Sequence, residues 1–79
     1  MRTNIYKSFY VVCLNNQGYE ASLEFGKIYK VIPDLDANKD YLIRVIDESM
    51  EDYLYSSSRF ASIEPPVKLR RLIKQKIQI

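Results

Sequence analysis

The chain contains no histidine, no tryptophan, a single cysteine, two glycines and three prolines in 79 residues. Each shortage removes a class of chemistry. Without histidine, Ser-His-Asp and Cys-His nucleophilic catalysis cannot be assembled within one chain, and acid–base work is left to carboxylates, lysines and tyrosines. One cysteine and no histidine also rule out the usual zinc ligand sets. Cys13 has no partner for an intramolecular disulfide, whereas secreted domains of this size usually carry several. A reducing, cytoplasmic setting is therefore expected. Cys13 follows two valines, but no export segment precedes it, so it reads as a buried strand cysteine and not as a lipid anchor. The apolar run from Tyr10 to Leu14 is too short for a signal core or a membrane span.

Aromatic residues are plentiful. Seven tyrosines and three phenylalanines, with 47% hydrophobic residues in all, are enough for one small folded core and too many for a disordered chain. So many tyrosines cannot all be fully buried in so small a domain, and a buried tyrosine needs a partner for its hydroxyl. A barrel whose tyrosine hydroxyls reach the rim is the simpler expectation, and an aromatic contact surface is the functional one. Tyr19, in the first long loop, and Tyr53 are the candidates for exposure.

Charge divides the chain at Pro65-Pro66, a pair that can continue neither a helix interior nor a strand ladder. All ten acids lie in residues 1–64, which carry a net charge of −3, whereas residues 65–79 carry Lys68, Arg70, Arg71, Lys74 and Lys76 and no acid, a net charge of +5. Residues 1–64 are expected to form the domain and 65–79 a basic appendage. Leu69, Leu72, Ile73 and Ile77 fall at helical spacing with the cations mainly between them. A helix is favoured over an added strand containing Val67, Leu69, Ile77 and Ile79. A segment of this length is marginal as an isolated helix, so it should dock on the domain, on a second copy, on another protein or on phosphate.

Ahead of the prolines the order of elements points to an all-β domain. Ser8–Leu14, Lys27–Pro33, Tyr41–Asp47, Asp52–Tyr55 and Phe60–Ile63 are rich in β-branched and aromatic residues, and turn residues lie between them. Residues 1–7 read as a frayed end, and 34–40 as a polar connector. The acids at 34, 36 and 40 are spaced like part of a calcium loop, but the glycine of the sharp turn and the closing glutamate are missing, so no metal is expected. Asp47, Glu48, Glu51 and Asp52 fall in a tight hairpin, where a solvated turn is expected in preference to a catalytic or cation-binding cleft. In the third strand Tyr41, Ile43 and Val45 share one face, and Leu42, Arg44 and Ile46 the other. Both faces are largely apolar, so Leu42 and Ile46 form a candidate contact patch outside the main core.

Leu23-Glu24-Phe25-Gly26-Lys27, the hairpin from Asp47 to Asp52, and Ser57-Ser58-Arg59-Phe60 resemble the diverging turn, distal hairpin and 3₁₀ turn of an SH3-like barrel. The resemblance implies a small five-stranded SH3-like barrel, closed and without a long exposed edge, to which the charge and spacing after Pro66 add a short basic C-terminal helix or extension. From Ala21 to Tyr55 the chain is also similar to a group of small bacterial proteins with the pattern A-S-L-E-x-G-K-x-Y-x-V followed by I-R-V-I-D-E-S-G-E-D-Y-L-Y-P, which implies no particular activity. Two positions depart from it. Met50 stands where the pattern has glycine, and is strained if the turn needs a positive φ; Ser56 replaces a proline, with some loss of backbone stiffness. Peptide-binding SH3 domains grip polyproline with a tryptophan and other aromatics. This chain has Cys13-Leu14-Asn15 after the first strand and no tryptophan, so polyproline recognition is not expected.

The reading that follows is a non-enzymatic interaction module or accessory subunit, without cofactor, whose partner is another protein or a second copy. The alternative is a nucleic-acid-binding small barrel using the basic tail. Carboxylate or tyrosine chemistry in a pocket is a third and weaker reading.

Overall fold

The computed structural model describes residues 9–69, 71 and 72. Its strands are β1 (Tyr10–Cys13), β2 (Ile28–Ile32), β3 (Leu42–Ile46), β4 (Asp52–Ser56) and β5 (Phe60–Ile63), with a short helix α1 (Leu35–Lys39) between β2 and β3 and a 3₁₀ turn (Ser57–Arg59) before β5. They form a five-stranded sheet in the order β4-β3-β2-β1-β5, and every neighbouring pair is antiparallel. The domain is all-β in its main elements.

Alternation along the strands fills one face of the curved sheet. Val11, Cys13, Tyr29, Val31, Ile43, Val45, Tyr55 and Phe60 pack there with Leu23, which the long connection after β1 contributes to the core. Gly26 has a φ of 80°, a backbone state open to glycine at little cost. Its N–H donates to the Cys13 carbonyl at 2.7 Å, which returns the chain from the loop into β2.

The expected closure is not found. No ladder joins β4 to β5 among the described residues, and both strands are edges of the sheet. The cause is local. After Ser56 the 3₁₀ turn redirects the chain, so β4 is paired only with β3 while β5 crosses to β1. The edge of β4 is thus left open.

The connector at 34–40 also differs from expectation, because α1 lies within it. The Asp34 carboxylate caps the helix by accepting the Ala37 N–H at 3.0 Å, and Ala37 is the helix's buried residue. The chain leaves α1 through Tyr41, which holds a φ of 58°. Beyond Pro66, residues 67–69 and 71–72 are helical and not strand. Residues 1–8, Arg70 and 73–79 lie outside the described residues; they include Tyr6, Lys74, Lys76, Ile73, Ile77 and Ile79.

Candidate interaction surface

The hairpin between β3 and β4 is built on a turn that wants glycine. The Met50 N–H donates to the Asp47 carbonyl at 2.9 Å, and the Asp47 N–H to the Glu51 carbonyl at 3.2 Å. This is a type I turn followed by one left-handed residue. That residue is Met50, with a φ of 69°, as its departure from glycine in the sequence pattern implies.

Asp47, expected in a solvated turn, is buried instead, with only 3% exposure. It accepts hydrogen bonds from the Tyr55 hydroxyl at 2.6 Å and from the Ser49 hydroxyl at 2.5 Å and N–H at 2.9 Å. Burial pushes its pKa up, but the hydrogen bonds from Ser49 and Tyr55 outweigh burial and hold it below the ordinary carboxylate value. The Tyr55 hydroxyl, buried and tied to that carboxylate, is pushed up to about 12.

Beside it lies a cleft of about 270 Å³ between Lys27, Ile28, Ile46, Glu48 and Met50. Its polar groups satisfy one another. The Tyr29 hydroxyl donates to Glu48 at 2.5 Å and accepts the Glu24 N–H at 2.8 Å, and Lys27 sits 2.6 Å from Glu48. Hydrogen bonds from Lys27 and Tyr29 lower the Glu48 pKa, while burial and then the Glu48 contact raise that of Tyr29. A general base working near neutral pH needs a carboxylate shifted the other way. These groups act as a structural clasp between the start of β2 and the hairpin.

Tyr19 is 45% exposed, but one face of its ring is used. It packs edge-on against Tyr55, with centroids 5.2 Å apart, and the Arg59 guanidinium lies 4.5 Å from its centroid. Arg59 also donates to the carbonyls of Asn15 and Gln17 at 3.1 and 2.9 Å. The first long loop is therefore fastened to the 3₁₀ turn.

The outer face of the sheet is built from directly opposed residues, which share a face. One row runs Asp52, Ile46, Lys30, Tyr10 and Ile63 across all five strands; the next holds Leu54, Arg44 and Ile32; Ser56 and Leu42 follow, and on the other side lie Ile28, Val12 and Ala61. Leu42 and Ile46 are half-buried, as are Val12 and Ile28; Ile32 is 37% and Leu54 43% exposed. Arg44 crosses this surface and is paired on both sides, with Asp34 at 2.9 Å and Asp52 at 2.8 Å. Those carboxylates raise the Arg44 pKa, and the Ala37 N–H and Arg44 lower that of Asp34. Tyr53 stands on the other face, opposite Val45, yet remains 49% exposed because it lies on the edge strand.

The candidate residues thus separate. Leu42 and Ile46 share the outer face, Tyr53 marks the open edge, and Tyr19 belongs to the loop clasp. Among the cations of the tail, Lys68 and Arg71 are exposed; Arg70, Lys74 and Lys76 lie outside the described residues. Leu54 was missed as a surface residue. Its alternation with the buried Tyr55 was the available signal. Arg59 was missed because its partners, Asn15 and Gln17, are distant in sequence, and the burial of Asp47 because it depends on the pairing of β3 with β4.

Among the described residues no group of three or more His, Cys, Asp or Glu is placed to hold a metal ion, and no helix is long and apolar enough to cross a membrane. Comparison of the chain with protein-family models, curated proteins and solved structures gave no match.

Proposed function

We propose that this chain is a non-enzymatic protein-interaction module with a partly open SH3-like arrangement of strands. The SH3-like reading is supported by the long connection after β1, the tight β3–β4 hairpin and the 3₁₀ turn before β5. The interaction reading is carried by one observation: the outer face presents Val12, Ile28, Ile32, Leu42, Ile46 and Leu54 in register beside the charged residues Lys30, Arg44 and Asp52. A sheet with one solvated face normally alternates apolar and polar residues cleanly. Apolar side chains on both faces require cover on both; Tyr10 in the middle row is already buried, whereas Ile32 and Leu54 are exposed and mark the part of this face open to a partner.

The test is affinity capture from the producing cells with the full chain and with its Ile32→Lys variant. A protein retained by the wild type and lost by the equally folded variant is the expected result. Equal retention by both of a protein other than the chain itself, or retention of nothing, not even a second copy, contradicts the reading.

The exposed Lys68 and Arg71 on the helical tail segment support a second reading, nucleic-acid binding. If all five tail cations neutralised phosphates, log affinity for duplex would fall with log salt with a slope of about −4.5. Fluorescence polarisation at low salt should then show binding that the K68E/R71E variant weakens. Absence of binding by the wild type removes this reading.

A further inference from the structure

We propose that the open edge of β4 pairs antiparallel with β4 of a second copy, joining the two sheets across a two-fold axis at Leu54. This rests on the interaction-module reading and names one partner for it.

The direction of the backbone groups follows from the ladder. The Asp47–Glu51 bond at one end of the hairpin and the Ser57 N–H to Tyr41 carbonyl bond at the other, 3.2 and 2.9 Å, fix which pairs are hydrogen-bonded. In an antiparallel ladder bonded and non-bonded pairs alternate. Tyr53 and Tyr55 therefore bond β3, and the backbone of Asp52, Leu54 and Ser56 points away from it. The Ser56 carbonyl turns into the 3₁₀ turn, which leaves the N–H and C=O of Asp52 and Leu54 and the N–H of Ser56 directed outward.

Within β4 this edge carries no lysine and no proline, and its one charge, Asp52, is paired with Arg44. Exposed edges are normally blunted by lysine, proline or a bulge, or covered by another element. β4 reads Asp-Tyr-Leu-Tyr-Ser and its first residues, Asp52, Tyr53 and Leu54, are exposed. The other edge strand, β5, is buried at Phe60 and half-buried beyond it, so β4 is the accessible one.

The edge is also self-complementary. With the axis at Leu54, Leu54 meets Leu54, Asp52 meets Ser56 and Tyr53 meets Tyr55. No acid faces an acid; the N–H and C=O of Leu54 fall opposite those of its copy, and the Ser56 N–H falls opposite the Asp52 carbonyl. On the outer face the exposed Leu54 side chains form an apolar cross-strand pair, which is favourable; on the other face Tyr53 is exposed, whereas Tyr55 stays buried in its own core. A two-fold contact of this kind closes, and gives a dimer instead of a filament.

Sedimentation velocity of the full chain over a concentration series tests this with two variants, Leu54→Lys and Leu54→Glu. Leu54 lies on the outer face, and circular dichroism checks that both variants keep the fold. The wild type should shift from monomer to dimer with concentration. Each variant alone should remain monomeric, because like charges meet at the axis, and an equimolar mixture should regain the dimer. As a second variant, Leu54→Cys should form a disulfide-linked dimer under mild oxidation, since bonded antiparallel partners have Cα atoms about 5.5 Å apart. A wild type that stays monomeric overturns the pairing. So does a dimer that Leu54→Lys leaves intact, which would place the contact on another surface. A monomeric chain that still captures a protein through Ile32 defeats the edge pairing alone and leaves the interaction reading standing.

Discussion

Met50 carries a side chain where the hairpin backbone favours glycine, at a φ of 69°. A left-handed non-glycine residue costs about 1 kcal/mol or more. Met50 is 54% exposed, so little packing is lost on its removal. Met50→Gly should raise stability by about 1 kcal/mol, a rise in Tm of roughly 4–8 °C for a domain of this size, read by thermal unfolding. Asp47 gives the opposite case. Tyr55→Phe removes a donor from a buried carboxylate and should cost roughly 1–3 kcal/mol in urea unfolding. The same pair sets a pH dependence. The folded pKa values of Asp47, Glu48 and Asp34 are lowered, so their contribution is complete above the unfolded carboxylate values, near 4, and is lost as pH falls through the folded ones. Unfolding free energy should be flat from neutral pH to about pH 5 and decline below about pH 4, and Tyr55→Phe should flatten the decline.

Helix α1 depends on Asp34, which both caps it and holds Arg44. Asp34→Ala should cost about 0.5–2 kcal/mol through the lost cap, whereas Asp34→Asn, a comparable cap, should cost less; urea unfolding of both separates capping from charge. This element also shows where the sequence was legible. Phe60–Ile63 lies where its aromatic and β-branched residues placed a strand, the 3₁₀ turn at Ser57–Arg59 lies within the segment where the SH3-like resemblance implied it, and the other strands differ at their ends. Those signals are local, carried by side chains a few residues apart. Helix α1 was not foreseen, because a five-residue helix has too little periodicity to register and its acids resembled a cation loop. The burial of Asp47 was equally hidden, since it depends on Tyr55, which the register of β3 and β4 brings to its carboxylate. The apolar outer face was visible for β3 alone; Ile32, Ile28 and Leu54 join it only once the register is known.

At the scale of the molecule, the sheet is largely apolar on both faces and open along one edge, and those two properties support the proposed role as a docking surface. The open edge arises because the 3₁₀ turn carries the chain from β4 across to β1 without closing the sheet, which element order alone did not reveal. The most direct measurement is amide hydrogen exchange of the full chain at low and high concentration. The account predicts that the amides of Leu54 and Ser56 exchange rapidly when dilute and slowly when concentrated, while those of Tyr53 and Tyr55, bonded to β3, are protected throughout. Exchange at Leu54 and Ser56 that is unchanged across the concentration range would contradict it.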